Sequence, residues 1–241
     1  MEANAGENKI KISVITPTVR PEGLALLEKS LRQQTFRDFE WIVGSPKPPK
    51  LAIDYKWVKD PPKNEGDYWT LYKCYNAMIK ECAGDFIVSW QDYTYVKPDT
   101  LERMWLHHLT NPKSLIGVVG DKYSDDTWTN KTWKDPRDRG YGFVTCPFHE
   151  VEWNFCGVPK EALYSVGGFD EDLDKYSSLC GADVAVRIEI MKQFDFKMDQ
   201  DIKTYSTEHG RLPEWDEHSP FGKVWLNKLE EYKENPKLNY L

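Results

Sequence analysis

The stretch Gly84-Asp85-Phe86-Ile87-Val88-Ser89-Trp90-Gln91-Asp92-Tyr93 constrains the fold of this chain more than any other. Phe86 to Trp90 is a short apolar run, opened by Gly-Asp and closed by polar residues, the pattern of a strand buried inside a sheet. A carboxylate just past such a strand lies where open α/β sheets take their ligands, outside the carboxyl ends of the strands. Two roles are open to Asp92 there. It can hold a divalent cation that in turn holds phosphate oxygens, or it can cap the turn that leads to Pro98.

The chain before this stretch has the matching architecture. Ile10 to Thr16 alternates and then runs apolar, a first strand stopped by Pro17-Thr18-Val19-Arg20-Pro21. Pro21 and Glu22 suit the first turn of a helix, and Leu24, Leu27 and Leu31 recur at helical spacing through Gln34. Phe39 to Val43 is a second strand, broken by Gly44-Ser45-Pro46. Strand, helix and strand in so short a span make a βαβ unit, hence parallel pairing and a right-handed crossover. A short strand at Tyr55 to Val58 follows, then a helix from Asp67 with Tyr68, Leu71, Tyr72, Tyr75, Ile79 and Cys82 on one face, ended by Gly84.

Beyond the central strand, a helix from Pro98 turns Leu101, Met104 and Trp105 inward, and Leu115 to Val119 is a strand. Residues 121–150 form a long polar loop with Trp128, Trp133, Tyr141 and Phe143, a length that points to function. A strand at Val151 to Val158, a helix at Pro159 to Ser165, the Gly-Gly-Phe-Asp-Glu turn, a helix at Asp183 to Gln193 and a short strand at Ile202 to Tyr205 complete the pattern. Lys223 to Tyr232 is a polar terminal helix. This is α/β alternation: a Rossmann-like three-layer α/β/α domain with a mostly parallel central sheet.

Composition excludes several function classes. A net charge of −7 argues against a nucleic-acid binder, whose footprint is basic, and against charge-driven docking on anionic membrane. No apolar run approaches the roughly 20 residues that span a bilayer. Met1 to Lys9 is polar, without the apolar core of a secretory signal. Cys74, Cys82, Cys146, Cys156 and Cys180 are odd in number and lack a Cys-x-x-Cys pair, so they read as reduced thiols of a cytoplasmic protein.

Four separated segments carry a resemblance. They are Ile12 to Thr18; Gln34-Thr35-Phe36-Arg37-Asp38-Phe39-Glu40; Asn76 with Ala83 to Phe86 and Gln91-Asp92; and Val166 to Glu171 with Ala182-Asp183 and Arg187. In this order they resemble the family 2 glycosyltransferases of the GT-A fold, over roughly residues 10 to 195. The resemblance implies one catalytic domain over 10–222, with a nucleotide-binding half at 10–95 and an acceptor-binding half at 96–222, between a tail at 1–9 and a C-terminal helix and tail at 223–241. It implies that Pro17, Thr18 and Arg20 cradle the nucleotide, with Ser45, Lys73, Gln91 and Asp92 completing the donor site. Asp92 falls on the family's acidic metal motif, and His209 is a further candidate ligand for Mn²⁺ or Mg²⁺. Asp183 falls on the general base, which takes a proton from the acceptor hydroxyl as it attacks the anomeric carbon with inversion. Ser177 to Gly181 would bring that base to the acceptor, Trp153 and Asn154 would contact the acceptor, and Arg211 to Gly222 would close over the donor. The implied partners are a nucleotide-sugar donor, a UDP-sugar first, and a carbohydrate or glycoconjugate acceptor.

The sequence departs from that family in several places. Gly44-Ser45 stands where paired aspartates are usual, Tyr75 stands where an Arg is common, Lys73 is a possible substitute for that charge, and Ala182 replaces a Glu. The acidic motif is reduced to Gln91-Asp92-Tyr93. These departures keep a second reading open, a catalytically silent nucleotide- or carbohydrate-binding module on the same fold. A nucleotidyltransferase would have a glycine-rich phosphate loop after the first strand, which Pro17 to Pro21 lacks.

Overall fold

The computed structural model describes residues 10–176, 181–207 and 223–241. The first βαβ unit forms as the apolar spacing dictates. β1 (Ile12–Pro17) leads through a 3₁₀ turn at Pro21–Gly23 into α1 (Leu24–Arg32), whose Leu24, Leu27 and Leu31 are fully buried. Burying each such leucine contributes about 1.5–3 kcal/mol. β2 (Phe39–Ser45) then pairs parallel with β1, and β3 (Lys56–Lys59) adds parallel to β2. α2 (Leu71–Lys80) starts four residues later than the Asp67 expected, and its buried face is Tyr72, Tyr75, Met78 and Ile79. β4 (Phe86–Trp90) is the buried central strand, parallel to β1 and wholly inside.

The second half is more strand-rich than its sequence suggests. β5 (Thr94–Val96) was not expected. α3 (Thr100–Thr110) buries Leu101 and Met104, and β6 (Ser114–Tyr123) runs past the expected Val119. The long loop contains two small strands, β7 (Lys131–Trp133) and β8 (Phe143–Thr145). β9 (Phe155–Pro159) leads into α4 (Lys160–Ser165), and α5 (Ala182–Met191) into β10 (Asp195–Thr207), which is 13 residues long. The last helix is α6 (Lys223–Glu234).

The sheet order is β3-β2-β1-β4-β9-β6-β10-β5, with β7 on β6 and β8 on β10. β1, β2, β3, β4, β6 and β10 share one direction, while β9 is antiparallel to both β4 and β6 and β5 is antiparallel to β10. Two apolar clusters cover its faces, one led by α2 and α5 and the other by α1 and α3. α6 and the chain end pack onto this body: Tyr232 is buried, and the N–H groups of Leu238 and Tyr240 donate to the carbonyls of Val166 (2.9 Å) and Gly167 (3.0 Å).

Gly84 serves a different purpose from the helix stop expected of it. α2 ends at Lys80, and a Cβ on Gly84 would lie 2.7 Å from the Ser13 nitrogen and 2.8 Å from the Ile12 carbonyl carbon. The residue is small because β1 and β4 approach each other there. Gly84→Ala is therefore expected to destabilise the protein by about 1–3 kcal/mol through overpacking, measured by urea unfolding. An unchanged midpoint would show that the two strands have room to spare.

Candidate functional site

At the carboxyl ends of β1 and β4 three residues called from the sequence come together. The Thr18 hydroxyl donates to Asp92 Oδ2 (2.6 Å) and accepts from the backbone N–H of Arg20 (2.9 Å). Arg20 Nη2 donates to Asp92 Oδ1 (2.6 Å). Asp92 is only 3% exposed, so this ion pair is shielded from water on its carboxylate side. The Arg20 guanidinium lies 5.1 Å from the centre of the Tyr93 ring, and the Tyr93 hydroxyl donates to Glu22 (2.9 Å). Burial and the bond to Glu22 push the Tyr93 phenol up to about 12, so it stays a donor at neutral pH. Tyr93 holds a left-handed φ of 59°, uncommon for a residue with a side chain. The sequence assigns neither Tyr93 nor Glu22 a role in the site.

The other donor-side residues fare differently. Pro17 is buried at the end of β1 opposite Gly44. Ser45 is buried, and its hydroxyl donates to the Lys47 carbonyl (2.8 Å), within its own loop. The Lys73 ammonium is ion-paired with Asp67, so it does not reach Asp92's cluster as a free charge. Gln91 joins the site through its backbone, whose N–H donates to the Asn154 carbonyl (2.9 Å). Asp60 emerges at the end of β3, its backbone N–H bonded to the Ser45 carbonyl (3.0 Å) and its carboxylate accepting from Thr70 (2.7 Å). It supplies an acidic group next to the Gly44-Ser45 position that lacks one.

The acceptor side is built on aromatic packing. Trp153 meets Phe169 edge-on at 4.7 Å, and Phe169 stacks on Tyr75 at 4.7 Å, so Tyr75 is a core residue where the resemblance led us to look for a cation. Trp153 is buried and Asn154 is exposed beside it. Gly181, at φ 82°, lies flat against the Trp153 indole and leaves no space for a side chain.

Asp183, expected as the base, sits deep in the structure. It is completely buried at the start of α5. Its Oδ2 accepts from Arg187 Nη2 (2.8 Å) and from the Asp170 backbone N–H (2.9 Å). Arg187 is equally buried and also donates to the carbonyls of Val166 (2.6 Å) and Gly168 (2.5 Å). Burial raises the Asp183 carboxyl, with Arg187 and the Asp170 N–H pulling it back. Through Oδ2 this carboxylate fixes the Gly-Gly-Phe-Asp-Glu turn to α5, while its Oδ1 is buried without a hydrogen-bond partner among the described residues. Asp170 is clamped from the other side by the Tyr232 hydroxyl (2.7 Å) and Lys228 (3.1 Å).

Of the two residues expected to hold a metal, Asp92 is described. Both Asp92 oxygens are engaged by Thr18 and Arg20, and among the described residues no group of three His, Cys, Asp or Glu side chains could hold an ion. His209, most of the 177–181 loop and the 211–222 segment lie outside the described residues. A concavity of about 570 Å³ lies at the amino ends of β2 and β3, between Phe39 and Lys56, the opposite end from Asp92. The strand-end placement and the buried ion pair identify the candidate site better than cavity size does. Cys74, Cys82, Cys146 and Cys156 are free buried thiols, and Cys180 lies outside the described residues.

No protein-family model matches the chain, and no curated protein matches it. Solved structures do. TarS of S. aureus, residues 1–349 in complex with UDP, superimposes with a TM-score of 0.63 at 16% identity, over 82% of this chain and 60% of that one. The same protein with UDP-GlcNAc gives 0.62 at 16% identity, over 92% and 64%. GalNAc-T7 with UDP, GalNAc and Mn²⁺ gives 0.66 at 13% identity, over 94% and 49%. The chain has the GT-A fold. It spans between about half and two thirds of the length of these structures. No described helix is long and apolar enough to cross a membrane.

Two predictions follow from the buried charges. Arg187→Met leaves Asp183 uncompensated in the core and is expected to cost about 3–5 kcal/mol in urea unfolding. A variant of parental stability would mean that Asp183 finds water, as a base at the acceptor needs. Asp174 is fully buried and accepts from the backbone N–H groups of Tyr72 (2.8 Å) and Lys73 (3.1 Å) at the start of α2. Burial lifts its carboxyl to about 7, against the pull of those two bonds. Its folded value lies above its unfolded one, so its contribution to stability is complete in acid and is lost as pH rises through 7. The urea midpoint should fall between pH 5 and 8 in the parent and fall less in Asp174→Asn.

Proposed function

We propose that the protein is a glycosyltransferase that moves a sugar from a nucleotide-sugar donor to an acceptor hydroxyl, as a member of the family 2 type and with inversion. The observation that supports this is the Thr18–Arg20–Asp92 cluster, a preorganised charged site at the carboxyl ends of β1 and β4 in a GT-A fold. A nucleotide diphosphate leaving group develops charge as the glycosidic bond breaks, and fixed donors lower that barrier. Arg20 and Thr18 are the donors available. Pro17, Gln91 and Asp60 lie around them as the walls of the nucleotide site, and a carboxylate such as Asp60 can accept a ring N–H of a base. TarS and GalNAc-T7 were solved with UDP, which makes a UDP-sugar the first donor to try. Residues 10–95 form the donor half. The acceptor half begins at 96, with Trp153 and Asn154 on its site edge, and includes the helix and tail at 223–241 because these pack against 166–168.

A second reading is favoured by one specific observation. Asp183, the base that the resemblance implies, is completely buried with its Oδ2 paired to Arg187. A nucleotide-sugar-binding module without turnover would look the same. Two measurements on the full chain separate the readings. Calorimetry with a panel of nucleotide sugars should find one that binds, and Asp92→Ala should weaken it about tenfold or more, because Arg20 loses its anchor. Release of the free nucleotide in the presence of candidate acceptor sugars then decides between enzyme and module. Binding without release supports the module, and no binding by any nucleotide sugar removes both.

A further inference from the structure

We propose that the diphosphate of the donor is met by the guanidinium of Arg20 in place of a divalent cation, and that Asp92 positions this guanidinium instead of ligating a metal. The inference rests on the nucleotide-sugar reading above and deepens it.

The donor set argues for this directly. A cation at Asp92 would have to share a carboxylate whose two oxygens each already accept a charge-assisted hydrogen bond of 2.6 Å, inside a site where it is 3% exposed. It would gain one carboxylate in return, because the described residues bring no second or third acidic or imidazole ligand to the place. Hard divalent cations take six or more oxygen ligands, of which a protein site usually supplies more than one carboxylate or carbonyl.

Arg20, in contrast, is held as a phosphate ligand needs to be held. Its backbone N–H is fixed by the Thr18 hydroxyl, and the same hydroxyl is fixed by Asp92. Its guanidinium carbon sits over the Tyr93 ring, 5.1 Å from the centre, and that ring is tethered through its hydroxyl to Glu22. Asp92 takes Nη2, while Nη1 is buried with no hydrogen-bond partner among the described residues. A buried donor without a partner costs free energy in the empty site, and a phosphate oxygen would satisfy it. Guanidinium suits this purpose, since its donors form a planar fork that matches phosphate oxygens and it stays charged at any working pH. Lys73, the other cation expected on this side, is committed to Asp67, which leaves Arg20 to do this.

The test is binding of UDP to the full chain by calorimetry, once in EDTA and once in Mn²⁺, together with a Mn²⁺ titration followed by electron paramagnetic resonance without nucleotide. The expected result is a UDP Kd that differs less than about threefold between the two buffers. Arg20→Ala should weaken UDP about tenfold to a hundredfold in both, with Arg20→Lys recovering only part of the loss. Asp92→Asn, which still offers an oxygen to Arg20 or Thr18, should lose far less than Asp92→Ala. Tight Mn²⁺ binding that vanishes in Asp92→Asn, or UDP binding that needs Mn²⁺, would overturn this inference and leave the donor reading standing. UDP and all other nucleotides failing to bind in either buffer would overturn both.

Discussion

The close parallel pairing of β1 with β4 is the constraint on which the site depends. Ile12 faces Phe86 and Ile15 faces Ser89 in register, so the two strands end side by side. The residues that leave them, Thr18 and Asp92, are 74 positions apart in the chain and 2.6 Å apart in space. Gly84 admits this approach at the start of β4, and the Thr16 hydroxyl closes it at the other end by bonding to the Trp90 carbonyl (2.8 Å). A side chain at position 84, or a shift of register, would move Asp92 away from Arg20. A one-residue slip would also turn every buried residue of the strand to the opposite face.

Two aspartates that looked alike in the sequence have opposite surroundings. Asp92 follows a strand and meets a guanidinium that still has an unpartnered edge. Asp183 opens a helix and meets a guanidinium whose remaining donors are taken by backbone carbonyls. The first arrangement leaves capacity for a ligand. The second uses up its guanidinium, though Asp183 Oδ1 is itself buried without a partner among the described residues, and it locks the turn at 166–170 against α5, which α6 locks as well through Tyr232 and Lys228. Breaking a closed buried pair is costly, and for that reason such pairs hold segments in place more often than they do chemistry.

Much of the fold was legible in the chain because local patterns and burial agree. Leu24, Leu27 and Leu31 lie on the buried face of α1, and Phe86 to Trp90 forms β4 without a residue of error. The misses have a common cause. β5, β7 and β8 are three residues each, too short for any periodicity to register. β10 was read as four residues and has 13, because Lys197, Asp199, Asp201 and Lys203 break its apolar pattern. Asp199 is nonetheless buried, since Arg103 from α3 pairs with it (2.9 Å) and His107 of the same helix hydrogen-bonds to it (2.7 Å). Burial of a charge by a distant partner leaves no mark on the local sequence.

The sequence by itself determined the order of the longer strands and helices, the parallel first half, and the identity of the charged residues that flank the strand ends. Those follow from side-chain period, glycine and proline placement, and apolar runs, all of which act over a few residues. Tertiary structure alone decided which of those charges are available. It paired Lys73 with Asp67, enclosed Asp183 with Arg187, and set Arg20 between Asp92 and Tyr93 with one edge unpartnered. The reason is physical: the role of an ionisable group depends on its partners and its access to water, and both are fixed by residues far away in the chain.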